Sequence, residues 1–183
     1  LEQIEKIKQQ YTSKGLGFQF YQEYMNDPVS DENRKFPIEK FRYYDKEKDF
    51  AGLRTFLAID RAYSLAKTAD STGIIAVSVD SDNRWYVRHA ERFKGTERDL
   101  IDKIFDLRDY YKTEKIGIEQ KAFEYTIKPA LDDEMRKRND FFVIEELKDG
   151  GRNKNMRIEG LVPRFLNGSL QFKKEQTDLI DEL

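Results

Sequence analysis

The sequence predicts an α/β domain built on a mixed five-stranded sheet, its first three strands antiparallel, with helices on both faces and a C-terminal hairpin. Three observations carry this expectation. Strand-like runs follow one another closely at residues 53–60, 73–79 and 85–92. An amphipathic helical pattern then separates the third run from a short buried strand at 115–119, and a second helical pattern separates that strand from an apolar run at 141–144. Short connections make the first three strands antiparallel, while helical crossovers add the fourth and fifth to the same sheet.

Each element has a local reason. Leu1, Ile4 and Ile7 recur at helical spacing before Gly15-Leu-Gly17, and the aromatic run at 18–24 leads into Asn26-Asp-Pro28 and a polar stretch at 30–35. Residues 1–50 therefore read as a linker lying on a domain that occupies 51–183. Asp80-Ser-Asp-Asn83 supplies the turn between the second and third strands. Thr96 caps a helix with apolar Leu100, Ile101, Ile104, Phe105 and Leu107, and Asp99 three residues after the cap completes a weaker capping box. The second helix is expected over 122–138 with Pro129 in or near a kink. Beyond a glycine-containing loop at 148–155, a short helix is expected at 156–161, a hairpin about Asn167-Gly168 over 164–172, and the start of a last helix from Glu175.

Composition limits the chemistry. The chain has 183 residues, enough for one sizeable core, and 38% of them are hydrophobic. Charged residues make up 37% but nearly cancel to a net charge of −2, so affinity for a polyanion must come from local clusters. The absence of cysteine removes disulfides, thiolate zinc sites and cysteine nucleophiles together, and is compatible with a reducing cytosol. No run approaches the length of a membrane span and no signal-peptide pattern opens the chain, so a soluble intracellular protein with no membrane partner is expected. Leu1 at the start and Leu183 inside a helical pattern suggest a fragment of something longer.

Two acidic residues stand out. Asp60 closes the run Thr55-Phe-Leu-Ala-Ile59, and Glu119 closes Lys115-Ile-Gly-Ile118. A carboxylate that ends a buried strand reaches solvent while its strand stays packed. The element order matches the ribonuclease H-like fold, in which the first and fourth strands are neighbours, and that adjacency would set Asp60 beside Glu119. Crowded carboxylates repel, and divalent cations relieve the repulsion. Oxygen-only ligands suit Mg²⁺ or Mn²⁺, and two such ions about 3.5 to 4 Å apart can activate a water and stabilise the leaving oxygen in phosphodiester cleavage.

The chain resembles the C-terminal nuclease domain of the large terminase subunit of tailed bacteriophages. The resemblance rests on Phe20-Tyr-Gln-Glu-Tyr-Met-Asn-Asp-Pro28, on Ala58-Ile-Asp-Arg-Ala62 with Ala69-Asp-Ser-Thr-Gly-Ile74, and on Ile116-Gly-Ile-Glu119. It continues in Arg157-Ile-Glu-Gly-Leu-Val-Pro163, Asn167-Gly168 and Thr177-Asp-Leu-Ile-Asp-Glu-Leu183. It implies an endonuclease that cuts concatemeric double-stranded viral DNA during packaging, in the cytoplasm of the infected bacterium at the procapsid portal. Its partners would be an N-terminal packaging ATPase domain reached through residues 1–50, the portal and the small terminase subunit. Asp60 matches the first metal-binding carboxylate of the family and Glu119 the second, together implying catalysis with two Mg²⁺ or Mn²⁺ ions. The third is an aspartate shortly after the helix that begins near Glu175, and the sequence ends before it; Asp178 and Asp181 match the preceding helix and are not assigned the role. No GxxxxGK[ST] loop is present, so ATP hydrolysis is not expected of this chain.

Other polar residues fall into place around the pair. Lys148, Arg152, Lys154 and Arg157 lie within ten residues opposed only by Asp149, which makes them the best local candidate for phosphate contact. Lys121, just past Glu119, is placed to help hold a scissile phosphate. Arg84, Arg88 and Arg92 alternate onto one face of the third strand. Asp70 reads as a turn residue, His89 as an exposed strand residue, and Tyr43, Tyr44, Phe50 and Phe56 as packing. Two other readings remain open: a ribonuclease H-like junction resolvase or transposase core, and a module whose main task is docking to a portal or capsid.

Overall fold

The computed structural model describes residues 4–7, 9, 35–61, 72–119, 127–148 and 154–182. The chain divides into two compact units, residues 1–41 and 42–183. In the first, residues 4–7 and 9 are helical, as the apolar spacing predicts, and Pro37 leads into a single 3₁₀ turn at Ile38–Lys40.

In the second unit six strands, among the described residues, form one sheet. They are β1 (Arg54–Arg61), β2 (Thr72–Val79), β3 (Trp85–Phe93), β4 (Lys115–Glu119), β5 (Ile144–Leu147) and β6 (Leu170–Gln171). Their spatial order is β5-β4-β1-β2-β3-β6. β1, β2 and β3 are successively antiparallel, and β4 runs parallel to both β1 and β5. The helices are α1 (Glu97–Tyr111), α2 (Lys128–Arg138), α3 (Lys154–Glu159), α4 (Val162–Leu166) and α5 (Thr177–Glu182).

Alternation decides which face is buried. Leu57 and Ile59 on β1, Ile74 and Ala76 on β2, and Ile116 and Ile118 on β4 all point to one side. There they meet Leu100, Ile104 and Phe105 of α1 and Leu131 and Met135 of α2 in a single core. Thr55 and Ser78 also point inward, and their hydroxyls satisfy each other at 2.7 Å. α1 begins as its sequence predicts: Thr96 Oγ1 accepts from the Asp99 amide, and the Asp99 carboxylate accepts from the Thr96 amide. The helix ends on Lys112, which takes the left-handed conformation at φ 51°.

Residues 42–50, expected in the linker, are built into the second unit. The Phe172 amide donates to the Arg42 carbonyl and the Tyr44 amide to the Phe172 carbonyl. Tyr44, Phe50 and Tyr86 pack edge to face with centroids 5.4 to 5.9 Å apart, and the Tyr44 hydroxyl donates to the Val87 carbonyl. Tyr44 and Phe50 thus pack as expected.

Several expectations need correction. The sheet has a sixth strand, and no hairpin follows Arg164: Val162–Leu166 is helical, and β6 pairs with β3 in parallel. Gly168, at φ 76°, follows the helix and donates its amide to the Phe165 carbonyl. An Asn-Gly pair signals a left-handed residue, which serves a helix end as well as a hairpin turn. Pro129 lies in the first turn of α2, where a missing N–H costs nothing, and the stretch 120–126 ahead of it lies outside the described residues. The fifth strand starts at Ile144 because that residue pairs with Ile116, leaving Phe141 and Val143 exposed ahead of it. Asp70, Lys121, Arg152 and the motifs at 11–34 lie outside the described residues.

Candidate active site

β1 and β4 pair in parallel, with Leu57 beside Ile116 and Ile59 beside Ile118. The next residue on each strand is Asp60 and Glu119. Since Ile59 and Ile118 are sealed in the core, Asp60 and Glu119 project from the opposite face, one strand spacing apart, about 4.8 Å. Asp60 is exposed and Glu119 half-buried.

The same row continues across the sheet. Leu147 of β5 pairs with Glu119, Gly73 of β2 with Asp60, and Arg92 of β3 with Gly73. From one edge to the other the row reads Leu147, Glu119, Asp60, Gly73, Arg92. Gly73 puts no side chain beside the aspartate: a Cβ there would lie 3.9 Å from the Asp60 Cβ, so a larger side chain would stand against it. Gly117, two residues before Glu119, has another reason to be glycine. Leu147 folds over it so closely that a Cβ would meet three Leu147 side-chain atoms at 2.8 to 2.9 Å. The neighbouring row is small or apolar, with Gly117, Ala58, Ile75 and Ala90 side by side.

The donor set can be tested against a metal. Two adjacent carboxylates on one face offer only oxygen, which fits a hard divalent ion such as Mg²⁺ or Mn²⁺. His89 offers no nitrogen there, because it pairs with Ala76 and so faces the helix-covered side. Among the described residues no group of three or more histidine or acidic side chains is gathered for a metal, so Asp60 and Glu119 stand as a pair. Asp178, exposed on α5, joins no such group.

The predicted basic residues are dispersed. Lys148 follows β5 directly and is exposed at the same end of the sheet as Glu119, its Nζ 3.9 Å from Glu146. Arg157 is exposed on α3, and Lys154 opens that helix. Arg84, Arg88 and Arg92 do not share a face. The register of β2 and β3 shifts between Ala76 and Val77, leaving Arg88 as the extra residue. Its guanidinium lies 4.2 Å from the Phe50 ring centroid and 4.8 Å from that of Tyr111, and burial lowers its pKa. Arg84 precedes β3 and pairs at 3.5 Å with Asp82. His89, expected to be exposed, is half-buried beside Tyr111 and Glu91, and burial pushes its pKa down.

No protein-family model matches the chain, and no curated protein matches it either. Solved structures do. The large terminase nuclease from thermophilic phage G20c is 15% identical, with a TM-score of 0.56 over 79% of this chain and 77% of that one. The sheet order, with β1 between β4 and β2, is the one expected from the sequence. The chain carries the ribonuclease H-like fold. Other ribonuclease H-like structures give lower scores: the human cytomegalovirus terminase nuclease domain is 17% identical, with a TM-score of 0.49 over 80% of this chain and 75% of its own. Thermus thermophilus RuvC is 13% identical, with a TM-score of 0.44 over 66% and 81%.

Proposed function

We propose that this chain is a metal-dependent DNA endonuclease of the large-terminase kind, cutting concatemeric double-stranded viral DNA during genome packaging. The observation that carries the reading is the register of β1 and β4, which sets Asp60 beside Glu119 on the face away from the core. The fold shared with the phage terminase nuclease supports it.

In this reading Asp60 and Glu119 are the catalytic carboxylates and hold Mg²⁺ or Mn²⁺. Two adjacent carboxylates repel each other, and that repulsion becomes affinity for a cation. A bound divalent ion supplies Lewis acidity toward a phosphodiester. The chain's own contribution is rigidity: both carboxylates stand one residue beyond core positions, Ile59 and Ile118, that are 1% and 0% exposed. Lys148, close to the end of β5, contacts the DNA backbone, and Lys121, Arg152, Lys154 and Arg157 extend that contact without reading sequence. Residues 1–50, of which 42–50 are built into the nuclease unit, lead to a packaging ATPase domain, and the portal and small terminase subunit are the partners of the assembled motor.

Plasmid nicking in Mn²⁺ tests the reading. The chain is expected to convert supercoiled DNA to open circles, and Asp60→Asn and Glu119→Gln are each expected to remove that activity. Cutting by both variants at the parent rate would reject it.

A further inference from the structure

The two carboxylates occupy only one side of the row that crosses the sheet. On the other side, beyond Gly73, stands Arg92, paired with Gly73 on β3 as Asp60 is paired with it on β1. Asp60 and Arg92 are therefore two strand spacings apart, about 10 Å between backbones, on one face and at one level. The residue between them has no side chain.

The charges around Arg92 sharpen its role. Its sequence neighbour Glu91 points to the opposite face, where it binds Lys103 at 3.1 Å and approaches His89 at 2.9 Å. The adjacent row beneath Arg92 offers Ala90, Ile75 and Ala58, none of which carries charge. Among the described residues the row itself thus holds two acids, a glycine and one arginine. An exposed arginine on the same face and at the same level as an acidic pair, with a glycine between them, is complementary to a group that is itself anionic and also binds metal, and a phosphodiester is such a group.

We infer that Arg92 is a substrate-contacting residue that binds the scissile phosphodiester from the β3 side, across Gly73. The inference rests on the nuclease reading above. Arg92 neither holds the cation nor moves a proton; its planar fork donates to the phosphate oxygens turned away from Asp60 and Glu119, fixing the phosphate over the carboxylate pair.

The test uses the 183-residue chain, a labelled duplex, Mn²⁺ and four variants: Arg92→Gln, Arg92→Lys, Gly73→Val and Asp60→Asn. Arg92→Gln is expected to lower the cutting rate on the order of 100-fold, the usual effect of losing one donor to transition-state charge. Arg92→Lys, which keeps charge but not the fork, is expected to fall between it and the parent. Gly73→Val places a branched side chain between Asp60 and Arg92 and is expected to slow cutting although Arg92 remains. Mn²⁺ affinity should persist in all three, and the slope of duplex affinity against salt should flatten by about one in Arg92→Gln. Thermal unfolding confirms the fold of each variant; if Gly73→Val fails to fold, the two Arg92 variants decide. Parental cutting by Arg92→Gln beside an inactive Asp60→Asn overturns the inference and leaves the nuclease reading standing. Parental cutting by Asp60→Asn overturns both.

Discussion

Arg98 on α1 and Glu134 on α2 are joined by two hydrogen bonds, 2.7 and 3.1 Å long, that tie together the two helices covering the core. Arg138 donates to the same carboxylate at 2.8 Å and also binds Asp102, so two arginines and two acids form one network. Glu134 is 4% exposed. A buried carboxylate survives in such a place because its charge is shared among several donors.

That network predicts an acid-sensitive fold. The hydrogen bonds from Arg138 and then Arg98 hold the Glu134 pKa down at about 2, below its ordinary value of 4.5. A carboxyl with a depressed folded pKa stabilises above its unfolded pKa, and the contribution is lost as pH falls through the folded one. Urea midpoints of the parent and Glu134→Gln should differ most above pH 5 and converge as pH falls from about 4.5 towards 2. A difference that stays constant over that window would contradict the role given to Glu134.

The buried hydroxyl pair gives a second expectation. Thr55 and Ser78 are 2% and 0% exposed and bond at 2.7 Å, and among the described residues Ser78 Oγ also takes a long contact from Arg88 at 3.4 Å. Thr55→Val keeps the shape but strands the serine, at a cost of about 1 to 3 kcal/mol. Adding Ser78→Ala should recover part of that loss. Equilibrium denaturation of the two single variants and the double one measures the coupling, and strict additivity would show that the pair is not coupled.

Gly117 is expected to tolerate no branched side chain. Leu147 occupies the space a Cβ would take, so Gly117→Val must drive Leu147 outward, and overpacking of this kind costs about 1 to 3 kcal/mol. Thermal unfolding reads the loss. An unchanged midpoint would mean that Leu147 moves aside freely.

What could be read from the chain beforehand follows from the range of the interactions involved. The Thr96–Asp99 cap and the strand Lys115–Glu119 are local, and both stand where the sequence places them. Asp60 and Glu119 could be paired because the order of elements predicts which strands adjoin. The relation of Arg92 to Asp60 could not be read so directly, because it depends on register across two strand pairs and on a glycine between them. Arg88 misled for a related reason: alternation of period two assumes an unbroken ladder, and the bulge at Ala76/Val77 breaks it. The Asn167-Gly168 signal was local but ambiguous, and only the parallel pairing of Trp85 with Leu170 separates a helix end from a hairpin.

The central claim is that Asp60 and Glu119 grip the same cation, and Mn²⁺ titration of the parent, Asp60→Asn, Glu119→Gln and the double variant tests it most directly. Ligands of one ion are not independent, so each single substitution should weaken binding and the double variant should be little worse than the weaker single one. Unchanged Mn²⁺ affinity in either single variant, or losses that simply add as for two separate sites, would contradict the account.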